Sequence, residues 1–291
     1  MDLVIGATGL VGSTIVRRLR ESGRNVRAGI RGGAGHPKAG ALVAAGVEVV
    51  DADLTKPETL APACRGVATV ITTATSMPTN ANDGLKRVDL DGTLALIDAA
   101  EQSDAERFVY VSYSGGLTLD SPLHLAKRTC EERLSGSHLE TVILRPSFFM
   151  EVWLGPHVGF DPENATATFP GDGTAPIRYI SAFDVAELAA RAATDPSPAG
   201  TWELGGPEAL APLEVARVFE RVLGKTLTVT TVPEPVVAAD YAAATDPLHK
   251  SFASLKLGYA RGDAVPDAPA AAARFGVALR SVADYAATYR R

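Results

Sequence analysis

Cysteine is scarce in this 291-residue chain: only Cys64 and Cys130 occur, each alone in a helical-looking segment. A pair at that separation supports neither a disulfide framework nor a thiolate metal site. Metal chemistry has no second foothold, because none of His36, His124, His138, His157 and His249 stands four residues from another. A basic excess is missing as well. The 28 basic and 34 acidic side chains leave a net charge of −6, opposite to the basic stripe of a nucleic-acid binder. No run approaches the roughly 18 apolar residues that suggest a membrane span. No basic or apolar stretch of signal-peptide length precedes the first motif. These absences lead to the expectation of a cytoplasmic chain without metal, nucleic-acid or membrane contacts, acting as a monomer or homodimer.

What is present suits a large core. Hydrophobic residues make up 46% and charged residues 21% of the chain, ordinary values for a globular protein. The length is about twice a usual domain of roughly 150 residues, so one large or two unequal domains are expected. Short β-branched runs at 3–5, 25–30, 47–50, 68–72, 107–112 and 141–145 alternate with amphipathic stretches. Continuous apolar strands separated by helices indicate a parallel sheet covered on both faces. After residue 150 glycine and proline cluster between 155 and 176, which marks loops and hairpins. Ser181 followed by Asp184 has the spacing of a capping box opening a helix, and 201–204 can return a strand to the sheet. The expected fold is α/β: a doubly wound parallel sheet over residues 1–150, completed by 177–204, with a smaller C-terminal α+β lobe over 151–291 that mainly binds substrate.

The motif with the most chemistry is GATGLVG, directly after the first strand, with Gly6, Gly9 and Gly12. Such a loop makes a tight turn, lets backbone approach a diphosphate closely, and opens a helix whose N-terminus favours anions. Gly6, Thr8, Gly9, Leu10 and Val11 are therefore candidate dinucleotide contacts. The end of the second strand discriminates between nucleotides. An acidic residue there accepts from a ribose 2′-hydroxyl, but this chain has Arg31, with Lys38 close behind. A guanidinium grips a 2′-phosphate, so NADP(H) is the expected cofactor. Asp53 and Leu54 stand where an adenine is met, although Asp53 could also cap the next helix. Thr73, Ala74 and Thr75 end the fourth strand with side chains small enough to leave room for the dinucleotide.

These residues, with VRAGIR, DADL, TTATS, RFVYVSYSG, LAKRTCEERL and RPSFFMEVW, resemble the NmrA-like branch of the atypical short-chain dehydrogenase/reductases over about residues 3–190. The resemblance implies a Rossmann domain holding NAD(P)(H), with quinone, isoflavone and lignan-type reductases and also non-catalytic nucleotide sensors among its members. It aligns Lys127 with the family lysine that holds the nicotinamide ribose, and it runs Pro146, Ser147 and Phe148 beside the nicotinamide. The wider superfamily's proton donor is a Tyr four residues before that Lys, but position 123 is Leu, and no tyrosine has a lysine four residues later. Ser112 and Tyr113, ending the fifth strand, are the candidates to orient a substrate carbonyl. His124, three residues before Lys127 on the same helix, is a second possible donor or a plain surface histidine. Phe149 and Trp153 are candidate substrate contacts in a chain with only 6% aromatics; the alternative is ordinary core. The expected activity is hydride transfer from NADPH to a small apolar or aromatic acceptor such as a quinone or enone. The alternative is a non-catalytic NADP(H) sensor, and an epimerase or dehydratase is poorly served without the Tyr-Lys pair.

Overall fold

Buried β-branched runs become strands because their side chains fill both faces of a covered sheet. The computed structural model describes residues 1–79, 83–195, 199–266 and 268–290. Its strands are β1 (Asp2–Ile5), β2 (Val26–Ile30), β3 (Glu48–Asp51), β4 (Thr69–Thr72), β5 (Arg107–Val111), β6 (Glu140–Pro146), β7 (Phe160–Asp161), β8 (Thr166–Pro170), β9 (Gly200–Leu204) and β10 (Thr228–Val232). Seven of them form one sheet in the order β3-β2-β1-β4-β5-β6-β9. The pairings from β3 through β6 are parallel. The order reverses beside β1, where β2 lies on one side and β4 on the other, so the carboxyl ends of β1 and β4 form a switch point for ligands. A second sheet has the order β10-β8-β7, with β8 parallel to β10 and antiparallel to β7. The doubly wound sheet with a smaller α+β part is thus the fold.

The chain divides into two compact units. Unit 1 comprises 1–112, 122–144 and 186–202, and unit 2 comprises 113–121, 145–185 and 203–291. The core of unit 1 gathers Leu3, Ile5, Val70, Leu96, Phe108 and Ile143, all at most 3% exposed. That of unit 2 is more aromatic, with Phe160, Phe169, Tyr179, Phe219 and Tyr259 each at most 1% exposed.

The helix Leu10–Glu21 buries Ile15, Val16 and Leu19, and Gly23 follows it at φ +79°. That left-handed residue is the stop expected of a glycine there. The capping box expected at Ser181 does not form. The Ser181 hydroxyl donates to Glu151 Oε1 at 2.6 Å and accepts from the Phe183 amide at 3.2 Å. Asp184 meanwhile accepts from the Arg280 amide at 2.7 Å and pairs with the Arg280 guanidinium. Ser181 therefore still caps the first turn through Phe183, while Asp184, the other half of the box, is held by a residue distant in sequence. Burial pushes the Asp184 carboxyl up, against the lowering effect of Arg280.

Candidate functional site

In unit 1 the glycine loop is shaped by contacts that a Cβ would forbid. Gly6 has φ +83°, and a Cβ there would lie 2.8 Å from Thr73 Oγ1. At Gly12 a Cβ would lie 2.2 Å from the Gly6 carbonyl oxygen. The first helical turn therefore packs directly on the loop, and the Gly9 amide donates to the Gly6 oxygen at 3.0 Å. The helix starts at Leu10 with no side-chain cap on Gly9. Its first-turn N–H groups lack intrahelical acceptors. Leu10 is 46% exposed, an apolar side chain left beside an anion-binding turn. Val11 is half-buried.

Other predicted contacts gather around this loop. Thr73 donates its amide to the Ile5 oxygen at 3.1 Å, which places Thr73 and Ala74 against Gly6. Thr75 is exposed, and its hydroxyl accepts from the Met77 amide at 3.2 Å. Lys38 Nζ donates to the Thr8 oxygen at 2.8 Å, tying the segment after β2 to the loop across 30 residues. Arg31 is exposed and forms no ion pair among the described residues. The turn after it is pinned elsewhere, because the Gly32 amide donates to Asp51 Oδ1 at 2.8 Å. Asp53 does not cap the next helix, which opens at Lys56 without a side-chain bond; its Oδ1 instead accepts from the Thr55 amide and hydroxyl at 2.9 and 2.8 Å, a turn two residues long. Leu54 is 5% exposed and belongs to the core.

At the end of β5, Lys127 is only 6% exposed. Its Nζ donates to the Val111 oxygen at 3.3 Å and stands 5.0 Å from the Tyr110 ring centroid. A surface lysine would keep its head in water, so this placement favours a positional role. Ser112 is 6% exposed, and its hydroxyl has no partner among the described residues. His124 is half-buried on the same helix as Lys127, Pro122–Ser135. Cys130 on that helix is an inert thiol, since burial pushes it up to about 11.

In unit 2, Phe148 and Trp153 pack inward. Phe148 is 3% exposed and meets Trp153 edge-on at 4.7 Å, while Trp153 stacks on Tyr259 at 5.0 Å. Beneath them the Tyr179 and Tyr259 hydroxyls are 2.5 Å apart, and burial raises both phenols. Phe149 is half-buried and Pro146 buried. Ser147 is 5% exposed, with a hydroxyl that has no partner among the described residues. A slot of about 80 Å³ lies instead against the 113–121 loop and the helix Pro247–Arg261, lined in part by Tyr113, Leu117, Leu119, Leu255, Gly258 and Arg261. Arg145 pairs with Glu203 at 3.1 Å.

Two residues escaped the sequence reading. Ser114 and Asp263 meet in unit 2 at 2.8 Å although 149 residues separate them. No spacing rule joins positions so far apart.

The NmrA-like family model matches residues 3–255. Photosystem II assembly factor Ycf39 of Trieres chinensis is 30% identical over 233 residues, covering 79% of this chain and 72% of that protein. The NAD(P)H azoreductase of Xenophilus azovorans is 30% identical over 228 residues, covering 77% and 74%. Among solved structures, an NADPH-dependent quinone oxidoreductase from Escherichia coli, complexed with NADPH, superposes with a TM-score of 0.82 at 22% identity over the whole of both chains. At that identity the likeness speaks for the fold.

Proposed function

This chain belongs to the NmrA-like family, and from that membership we propose that it is an NADPH-dependent reductase of a small, apolar, conjugated acceptor such as a quinone or enone. The observation that carries the cofactor half is the loop made of bare backbone. A Cβ at Gly6 or Gly12 would strike a neighbour at 2.8 or 2.2 Å, which is the close packing a diphosphate cradle needs. The group fits the other residues as well. First-turn amides face its phosphates, Leu10 offers an apolar surface, and Arg31 and Lys38 supply cations suited to a 2′-phosphate. Lys127 would hold ribose hydroxyls, a role its buried ammonium supports, and the Ser112 hydroxyl, buried without a partner among the described residues, suits a polar group of the nicotinamide.

NADPH, when bound, supplies the hydride. The chain's own tasks are to orient it and to keep the acceptor flat and dry. Quinone reduction suits a chain with Leu123 where the superfamily has its tyrosine, because hydride addition yields a stabilised oxyanion that needs no strong acid. The names of the azoreductase and the quinone oxidoreductase support an acceptor with a conjugated, reducible bond. The same Leu123, together with the similarity to an assembly factor, favours one second reading: a protein that binds NADP(H) and acts through a partner. A panel of quinone, enone, imine and azo acceptors, followed by loss of NADPH absorbance, separates the two. Turnover of one of them supports the reductase. No turnover by NADPH-loaded protein, with a partner protein bound in a nucleotide-dependent way, establishes the sensor.

A further inference from the structure

The turn that follows β2 in unit 1 has no side chains of its own to hold it. Gly32 is left-handed at φ +78° and Gly33 at φ +50°. Gly33 is buried, and a Cβ there would lie 3.0 Å from the Asp51 amide nitrogen, so only bare backbone fits against the end of β3. Adjacent glycines give up more conformational freedom on ordering than any other pair of residues. A side chain from the next strand supplies the anchor: Asp51 Oδ1 accepts from the Gly32 amide at 2.8 Å. No other side chain bonds to residues 32–35 among the described residues. Beyond that anchor the turn closes on itself. The Gly35 amide donates to the Gly32 oxygen at 2.9 Å, and the His36 amide donates to the Gly33 oxygen at 3.1 Å.

Register explains why Asp51 can reach. β2 and β3 run parallel with Ile30 opposite Asp51, and the Ala52 amide donates to the Ile30 oxygen at 3.2 Å. The two strands end level, and the carboxylate spans the short step from its register partner to Gly32. Arg31 stands between these two fixed points, so its backbone is held from both sides. Its side chain is exposed and forms no ion pair among the described residues. Lys38, by contrast, has its Nζ on the Thr8 oxygen. The end of the second strand is where a Rossmann sheet reads the 2′ position of the adenosine ribose. A carboxylate standing there would accept from a 2′-hydroxyl, but that of Asp51 stands on the neighbouring strand with one oxygen given to the Gly32 amide.

We propose that Asp51 is a positioning residue for nucleotide choice: by tethering Gly32 it aims Arg31 at the 2′-phosphate, and so helps unit 1 tell NADPH from NADH without touching either. The proposal rests on the reading of unit 1 as an NADPH site and names what sets its selectivity. The tether needs an acceptor, which an amide oxygen supplies as well as a carboxylate does. The negative charge is a cost and not a requirement, since it stands one strand away from a place meant for a phosphate. A brace of the fold alone would serve both nucleotides alike, because adenine, ribose and diphosphate are common to them. NADH lacks only the phosphate that Arg31 reads, so a tether acting through Arg31 bears on NADPH alone.

The test is calorimetric titration of the parent, Asp51→Ala and Asp51→Asn with NADPH and with NADH. Asp51 is exposed, so its replacement leaves no buried gap. Asp51→Ala deletes the acceptor and should weaken NADPH binding roughly tenfold, the scale of one charge-assisted hydrogen bond, with NADH affinity within about twofold of the parent's. Asp51→Asn keeps an acceptor for the Gly32 amide and should bind NADPH at least as tightly as the parent. In an Arg31→Ala background, Asp51→Ala should cost NADPH nothing further, since the group it aims is gone. An unchanged NADPH affinity in Asp51→Ala overturns the proposal. Equal weakening of both nucleotides overturns it too, and makes Asp51 a brace of the fold. So does an Asp51→Asn chain as weak as Asp51→Ala, or a full further loss in the Arg31→Ala background. A parent that binds neither nucleotide overturns the NADPH reading of unit 1, and this proposal with it.

Discussion

The nucleotide edge of unit 1 and the slot of unit 2 are made of different material. The first is backbone: Gly6, Gly9 and Gly12 bring main chain to main chain, and the helix that follows presents its amides. The second is side chain: Tyr113, Leu117 and Leu255 shape a space of about 80 Å³, with a serine–aspartate pair beside it. Backbone geometry tolerates few residues, so the first kind of site constrains its sequence tightly and suits one shared ligand. A side-chain wall is replaceable piece by piece, and it suits an acceptor that varies among relatives.

The contrast breaks if a Cβ is harmless in the first region. Gly12→Ala places a carbon 2.2 Å from the Gly6 oxygen, a backbone atom with nowhere to go. Overpacking of about 1–3 kcal/mol is expected. Because the loop carries the strain, NADPH affinity measured by calorimetry should fall roughly a hundredfold. A change within about threefold would show that close approach is unnecessary. Lys127→Met comes next. It keeps the buried stem and deletes the ammonium, so the fold should hold while nucleotide binding weakens by about 1.5–3 kcal/mol, or roughly ten- to a hundredfold. Unchanged binding would return Lys127 to a purely local bond with the Val111 oxygen. The smallest effect is expected at the slot. Tyr113→Phe should cost less than about tenfold in kcat, since one orienting hydroxyl is lost. A loss of several thousandfold there would make Tyr113 the proton donor.

How much could be read without the structure follows the same division. The strands of the large sheet were legible because continuous β-branched runs mean burial on both faces, and the glycine loop because its spacing is its geometry. Ser181 does cap its helix through the Phe183 amide, but the expected box is not completed, because Arg280, 96 residues from Asp184, holds that carboxylate instead. Phe149 and Trp153 stood out as scarce aromatics, yet chemistry alone does not say which way a ring turns: Phe149 is half-buried and Trp153 stacks on Tyr259. Asp263 had no signal at all: its partner lies 149 residues away.

The central claim is that unit 1 is built for NADPH, with Arg31 reading the 2′-phosphate. Calorimetric titration of parent and Arg31→Asp with NADPH and NADH tests it directly. The parent should bind NADPH at least about tenfold more tightly than NADH, the scale of one charge-assisted contact. Arg31→Asp should lose that preference, since it sets a carboxylate against the phosphate. Equal affinity of the parent for both nucleotides, or undiminished NADPH binding by Arg31→Asp, would contradict the account.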